Sequence, residues 1–174
     1  PDDVVLWMLG KPLSFVPGKR SAYSNFGYCV LGRVIEKVTK RPYMTYLQQN
    51  VFKPVGISPK EVKLAYADPT QRDSREPWYN EALDVDVMDA HGGVVISSPT
   101  LCQFLDAYWI SGEPRKPGEK GYVYTFFGSM PGTSAIAHQR ADGINFAAEF
   151  NGRHGDANQD KFTAELNKLI DGLK

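Results

Sequence analysis

Three observations predict an α+β fold for this sequence. Apolar residues recur at helical spacing in several segments between Asn25 and Gly112. After the stretch 113–121 the pattern changes to short β-branched and aromatic runs around an Asp142-Gly143 turn signal. The last segment, from Gln159, returns to helical spacing. The expected order is helices and long loops, then an antiparallel sheet of about three strands, then a C-terminal helix that covers it. Residues 1–118 form the helical and loop portion and 119–174 the strands with the last helix, together one incomplete structural domain.

Taken in order, Asp2 or Asp3 is the expected cap of a short helix through Leu9, ended by Gly10. The stretch KPLSFVPGKRSAYSN has the Pro and Gly content of an ordered loop. In FGYCVLGRVIEKVTK, Val30, Leu31, Val34, Ile35 and Val38 fall on one helical face. Ser24 or Asn25 is its natural N-cap, and Glu36 with Lys40 has the spacing of a favourable pair. PYMTYLQQNVFKPVGI reads as a second helix, with Pro42 near its start and Pro54 and Gly56 stopping it. Residues 58–90 are polar and aperiodic, a long excursion with room for short strands. SSPTLCQFLDAYWISG is a helix capped by Ser98, with Pro99 in its first turn and Gly112 at its end. Its buried face is Leu101, Phe104, Leu105 and Trp109. YVYTFF, TSAIAHQ and INFAAEF are the strands. Phe162, Leu166, Leu169, Ile170 and Leu173 line one face of the last helix.

Composition narrows the function. The chain has 174 residues, 42% hydrophobic and 23% charged, an ordinary globular balance that argues against disorder. Twenty basic residues balance twenty acidic ones and no Lys/Arg run stands out, so nucleic acid is not an expected partner. No apolar stretch is long enough to span a membrane. The first residues lack the charged region and cleavage site of a signal peptide, and they lack an initiator Met. The start reads like the middle of a longer chain or a processed product. Cys29 and Cys102 fall in helical patterns among apolar neighbours, as buried free thiols rather than a disulfide framework. His91, His138 and His154 have no ligand partner at a familiar metal spacing, so no metal site and no cofactor are expected. His91 reads as a loop histidine and His138 as a structural one in a strand. A sheet of three strands leaves two edges, where a missing N-terminal portion or a second copy in a homodimer would pair.

Three stretches carry a family resemblance: PGKRSAYSNFGYCVLGRVIEKVTKRPYMTYLQQNVFKPVGI, AHGGVVISSPTLCQFL and FFGSMPGTSAIAHQRADGINFAAEFN. In this order they resemble the penicillin-binding-protein-like serine hydrolases, the family of class C β-lactamases, D-Ala-D-Ala peptidases and related esterases. The first stretch is the most specific and the last the loosest. The resemblance implies hydrolysis of an ester, amide or β-lactam in a small-molecule or peptide substrate through an acyl-enzyme. It also implies a periplasmic or extracellular setting. Tyr23 matches the motif tyrosine, a general base or proton relay. An ordinary phenol titrates near pH ~10, so that task needs cationic neighbours. Asn25 matches the motif amide that binds substrate and the catalytic Lys. Phe126-Phe127-Gly128 occupies the place of a His/Lys-Thr-Gly motif, with Gly128 and Phe126 at the substrate and the N–H of Ser129 as an oxyanion donor.

Two departures qualify this match. The family's nucleophile lies in Ser-x-x-Lys ahead of the Tyr-Ser-Asn motif, and no Ser in this chain is followed by Lys three residues later. This chain alone is therefore expected to be inactive. Phe126 stands where the family has a basic or imidazole side chain, and it supplies neither charge nor a polar hydrogen. Two plainer readings stay open: a non-catalytic binding module on the same scaffold, or an α+β domain in which Tyr23 packs over a loop while Ser24 or Asn25 caps the helix.

Overall fold

The computed structural model describes residues 1–65, 87–130, 132–152 and 156–173. They form two compact units, one holding residues up to 65 together with 87–95, the other the described residues from Ile96 onward. Both helices and antiparallel strands are present, an α+β fold.

In the first unit, α1 spans Asp2–Leu9 and α2 Asn25–Thr39. Pro1, not Asp2 or Asp3, occupies the cap position of α1, because the helix begins one residue earlier than its acidic residues suggest. Ser24 is the N-cap of α2, its Oγ accepting from the Gly27 N–H at 3.0 Å. The apolar line of α2 is largely solvent-exposed: Leu31 is 56%, Val34 50% and Val38 75% exposed. The helix instead buries Cys29 and Gly32, where a side chain on Gly32 would meet the Ala90 methyl at 2.7 Å. Glu36 takes an ion pair from Arg33 at 2.7 Å and the Tyr43 N–H at 2.7 Å rather than the expected Lys40. Pro42 caps α3 (Tyr43–Leu47), which loosens into a π-helical turn at Gln48–Phe52 and tightens into a 3-10 turn at Lys53–Val55. Gly56 ends it with φ +81°, a conformation open to glycine. Within the excursion from residue 58, a capping box at Ser58–Glu61 leads to β1 (Val62–Leu64), which pairs with β2 (Val94–Ile96). Residues 66–86 of that excursion lie outside the described residues. Cys29, Phe52, Ile57, Val62 and Leu64 form this unit's buried apolar core.

In the second unit, α4 spans Ser98–Ala107. Ser97, not Ser98, is its N-cap; Ser98 is already helical and donates to Glu149 at 3.0 Å. The helix stops well before Gly112 because the chain folds back on itself. Tyr108 bridges to Pro114, the Trp109 N–H donates to the Glu113 carbonyl at 2.8 Å, and Gly112 turns at φ +98°. Strands β3 (Tyr124–Met130), β4 (Thr133–Gln139) and β5 (Asn145–Phe150) form an antiparallel sheet in that order. Gly143 takes φ +93° in the β4–β5 turn, as the Asp-Gly signal predicts. The last helix, α5, spans Asp156–Asp171.

Strand alternation assigns the sheet's two faces. Ser134, Ile136 and His138 pair with Phe150, Ala148 and Phe146. On this face Phe150 stacks on Phe162 of α5, with ring centroids 5.2 Å apart, and His138 reaches Asn167. The opposite face carries Ala135, Ala137 and Gln139, where Gln139 and Glu149 bond to α4 and its end. The sheet is thus covered by two helices, where sequence predicted one. On α5, Phe162, Leu166 and Ile170 are half-buried, while Leu169 and Leu173 of the expected face are 66% and 86% exposed. Among the described residues, no helix is long and apolar enough to cross a membrane.

Two buried polar side chains fix this unit. Gln139 is fully buried; its amide donates to the carbonyls of Leu105 at 2.7 Å and Tyr108 at 2.8 Å and accepts from the Ile110 N–H at 2.9 Å. Arg115 donates to the carbonyls of Leu105, Glu119 and Gly143 and lies over the Trp109 ring. The Gln139→Leu variant removes three hydrogen bonds to buried backbone groups, a loss of roughly 1.5–4.5 kcal/mol at about 0.5–1.5 kcal/mol per bond. Urea unfolding should read that loss.

His138 is held in one tautomer. Asn167 directs its carbonyl to Arg140 at 2.6 Å and its NH2 to His138 Nε2 at 3.3 Å, so Nδ1–H faces Thr125 Oγ1 at 2.7 Å. Burial first, and then the positive Arg140, push this imidazole below its ordinary value. The unfolded chain then binds the proton more readily, so His138 contributes stability that is present above pH about 6.5 and is lost as pH falls toward its folded value. In an NMR titration the His138 ring should show its midpoint below about 6.5. A midpoint at or above that value contradicts the assignment.

Candidate active site

The loop ahead of α2 brings two of the expected residues together. The Tyr23 hydroxyl donates to Asn25 Oδ1 at 2.9 Å, and the Tyr23 and Tyr28 rings lie 5.6 Å apart. The local cause is the cap. Ser24 sits in extended geometry at the helix entry, so Tyr23 lies just outside the helix and Asn25 is its first residue. Tyr23 is 66% exposed and Asn25 is exposed, so both polar tips lie at the surface. With its carbonyl engaged by Tyr23, Asn25 keeps its two amide hydrogens for another acceptor.

Phe126, Gly128 and Ser129 lie on β3, in the other unit. Phe126 is 44% exposed and pairs with Ala137; Gly128 pairs with Ala135 and Ser129 with Ser134. The phase of the ladder tells where the Ser129 peptide points. The Arg140 N–H donates to the Ile144 carbonyl at 2.9 Å, one register step beyond Gln139–Asn145. Antiparallel pairs alternate, so the peptide groups of Ser134, Ile136 and His138 face β5 and those of Thr133, Ala135, Ala137 and Gln139 face β3. Their β3 partners Met130, Gly128, Phe126 and Tyr124 therefore face β4. The N–H groups of Thr125, Phe127 and Ser129 point the other way, off the outer side of β3. No described strand pairs with that side. An outward, strand-borne N–H is the kind of donor an oxyanion uses.

A third grouping was not legible in the sequence. Cys29 on α2 meets Asp89 and His91, with one ligand atom of each within 4.8 Å of the others. Asp89 and His91 sit in a turn closed by Gly93 N–H to the Asp89 carbonyl at 3.0 Å. Only glycine fits at 93, where a Cβ would lie 2.1 Å from the Met88 carbonyl oxygen. Asp89 is ion-paired with Arg33. Burial, and then the Asp89 charge, raise the Cys29 thiol above its ordinary value. No spacing rule links residue 29 to 89 and 91, so only tertiary structure reveals the group.

Comparison with known proteins places the chain in a family. A sequence profile of the Beta-lactamase family matches residues 2–147, and the chain belongs to that family. The protein named "Putative D-alanyl-D-alanine carboxypeptidase" of Escherichia coli (strain K12) is 34% identical over 47 residues, 27% of this chain and 11% of that protein. Its namesake from Salmonella enteritidis PT4 is 37% identical over 46 residues, 26% of this chain and 11% of that one. The matched stretch thus spans about a ninth of these relatives. Among solved structures, the D-amino acid amidase from Ochrobactrum anthropi SV3 complexed with D-phenylalanine is similar, with a TM-score of 0.74 and 16% identity. That match covers 99% of this chain and 64% of the amidase. SurE with D-Leu has a TM-score of 0.65 and 21% identity, covering 95% of this chain and 47% of SurE. At these identities the structural matches establish the shared fold.

The Ser24 cap is the element that presents Tyr23 and Asn25. Ser24→Ala should cost about 1 kcal/mol. Hydrogen exchange should show the loss as faster exchange of the Gly27 amide, while α4 and α5 stay unchanged.

Proposed function

We propose that this chain supplies the proton-handling and oxyanion-binding parts of a β-lactamase-type serine hydrolase, and that alone it is inactive. The observation that carries the reading is the Tyr23–Asn25 hydrogen bond of 2.9 Å at the entry of α2, within a sequence of the Beta-lactamase family. In the proposed reaction a Ser of a Ser-x-x-Lys segment attacks the carbonyl of an ester, amide or β-lactam. Its proton passes to Tyr23 as Tyr23 hands its own phenolic proton to a neutral Lys, a relay that leaves the phenol neutral. Asn25 offers its amide hydrogens to the substrate and its carbonyl oxygen to the Lys. The tetrahedral oxyanion takes the Ser129 N–H, and Gly128 keeps the strand surface low where the acyl group lies. The proton returns through Tyr23 to the leaving group, and water cleaves the acyl-enzyme through the same relay, its proton ending on the serine oxygen. The D-amino acids in the names of the similar proteins favour amide or ester bonds beside a D-residue.

One observation favours a second reading, a non-catalytic binding module: Phe126 stands half-exposed where a basic side chain is expected. Intact mass spectrometry after exposure to a fluorophosphonate and to a penicillin separates the two. The chain alone should gain no adduct. A longer protein that supplies Ser-x-x-Lys ahead of residue 1 should gain one equivalent, and Tyr23→Phe in it should slow acylation roughly 10²–10⁴-fold. A longer protein that folds yet forms no adduct would support the binding module. An adduct on the chain alone would show that a serine here is already activated.

A further inference from the structure

We propose that Cys29, Asp89 and His91 form a binding site for a thiophilic divalent cation, with zinc(II) the best match. Sulfur, imidazole nitrogen and carboxylate oxygen are a zinc donor set, and softer ions of this kind prefer thiolate over purely oxygen sites. Adjacent ligand atoms on a tetrahedral zinc are about 3.3–3.8 Å apart, given bond lengths of about 2.0–2.3 Å. Asp89 Oδ1 and His91 Nδ1 are already 3.5 Å apart, and the whole set lies within 4.8 Å, so closure needs only side-chain adjustment.

An independent observation points to a missing ligand. The His91 side chain is nine-tenths buried and its Nδ1, turned toward Asp89, has no hydrogen-bond partner. A buried polar atom without a partner is costly, and a metal bond would satisfy it. The surroundings are also built. Asp89 Oδ2 is held by Arg33, and Oδ1 accepts the Ala90 N–H, so the carboxylate is oriented by neighbours as ligands usually are. With thiol and imidazole neutral, Arg33, Glu36 and Asp89 carry one net negative charge. Binding M²⁺ replaces the thiol proton, which leaves to solvent, and forms the S–M bond; the group then becomes neutral. Exposed Gly92 beside His91 marks a route in, and water would complete the fourth position.

Cobalt(II) titration of the full chain tests the site, because a thiolate-bound cobalt absorbs in the near ultraviolet and zinc competes it away. One equivalent should bind with that band, and Cys102→Ser should leave it intact. Cys29→Ser should abolish the band, and His91→Ala should weaken binding at least about tenfold. Circular dichroism reports whether each variant folds; should Cys29→Ser fail to fold, His91→Ala decides. The proposal is overturned if the folded chain gives no thiolate band, if Cys102→Ser removes it, or if His91→Ala binds as tightly as the parent. In the last case, Asp89 and His91 are simply an ion pair.

Discussion

The three hydrogen bonds of Gln139 are the constraint on which the second unit depends. A helix ends with carbonyls that have no partner inside it, and α4 ends in a buried place. Gln139 reaches from the middle strand to two of those carbonyls and to the N–H of Ile110. Arg115 takes the Leu105 carbonyl as well and continues to the β4–β5 turn through Gly143. These bonds pin the central strand to the helix. A slip of one residue would exchange its two faces and place His138 where Gln139 belongs.

From that anchor the rest of the sheet follows. Because Gln139 faces α4, His138 faces α5, and its imidazole finds Thr125 and Asn167. The same register sets the alternation of the ladder, and the alternation turns the Ser129 N–H off the outer side of β3, with which no described strand pairs. A feature of functional interest is thus a consequence of strand phase and not of any special residue at 129. This is why the identity of Ser129 is uninformative by itself: the proposed donor is its backbone.

The first unit is organised differently. Arg33 joins Glu36 of its own helix to Asp89 of the turn before β2, and Gly32 lets that turn approach α2 closely. The burial of α2 is therefore polar and narrow, centred on Cys29, Gly32 and Arg33. The same close approach brings Cys29 against Asp89 and His91. Tyr23 and Asn25, by contrast, are placed by a purely local device, the Ser24 cap.

Local chemistry was legible in the sequence because it acts over a few residues. The helix start at Ser24, the stop at Gly56, the Asp142-Gly143 turn, the three strands and the Tyr-Ser-Asn motif all rest on neighbours within one turn. The sequence misplaced what depends on distant partners. It read the apolar line of α2 as one face of a helix and Cys29 as a buried thiol, but could not show that Gly32 would be buried and Arg33 half-buried against the turn at Asp89. It ended α4 at Gly112, unaware that Tyr108 would bridge to Pro114. It also gave the sheet one covering helix where there are two. By itself the sequence determined the fold class, the family and the candidate Tyr23–Asn25 pair. Tertiary structure decided the outward Ser129 amide and the cluster of Cys29, Asp89 and His91, because strand phase and contacts between remote segments leave no periodic trace in a chain.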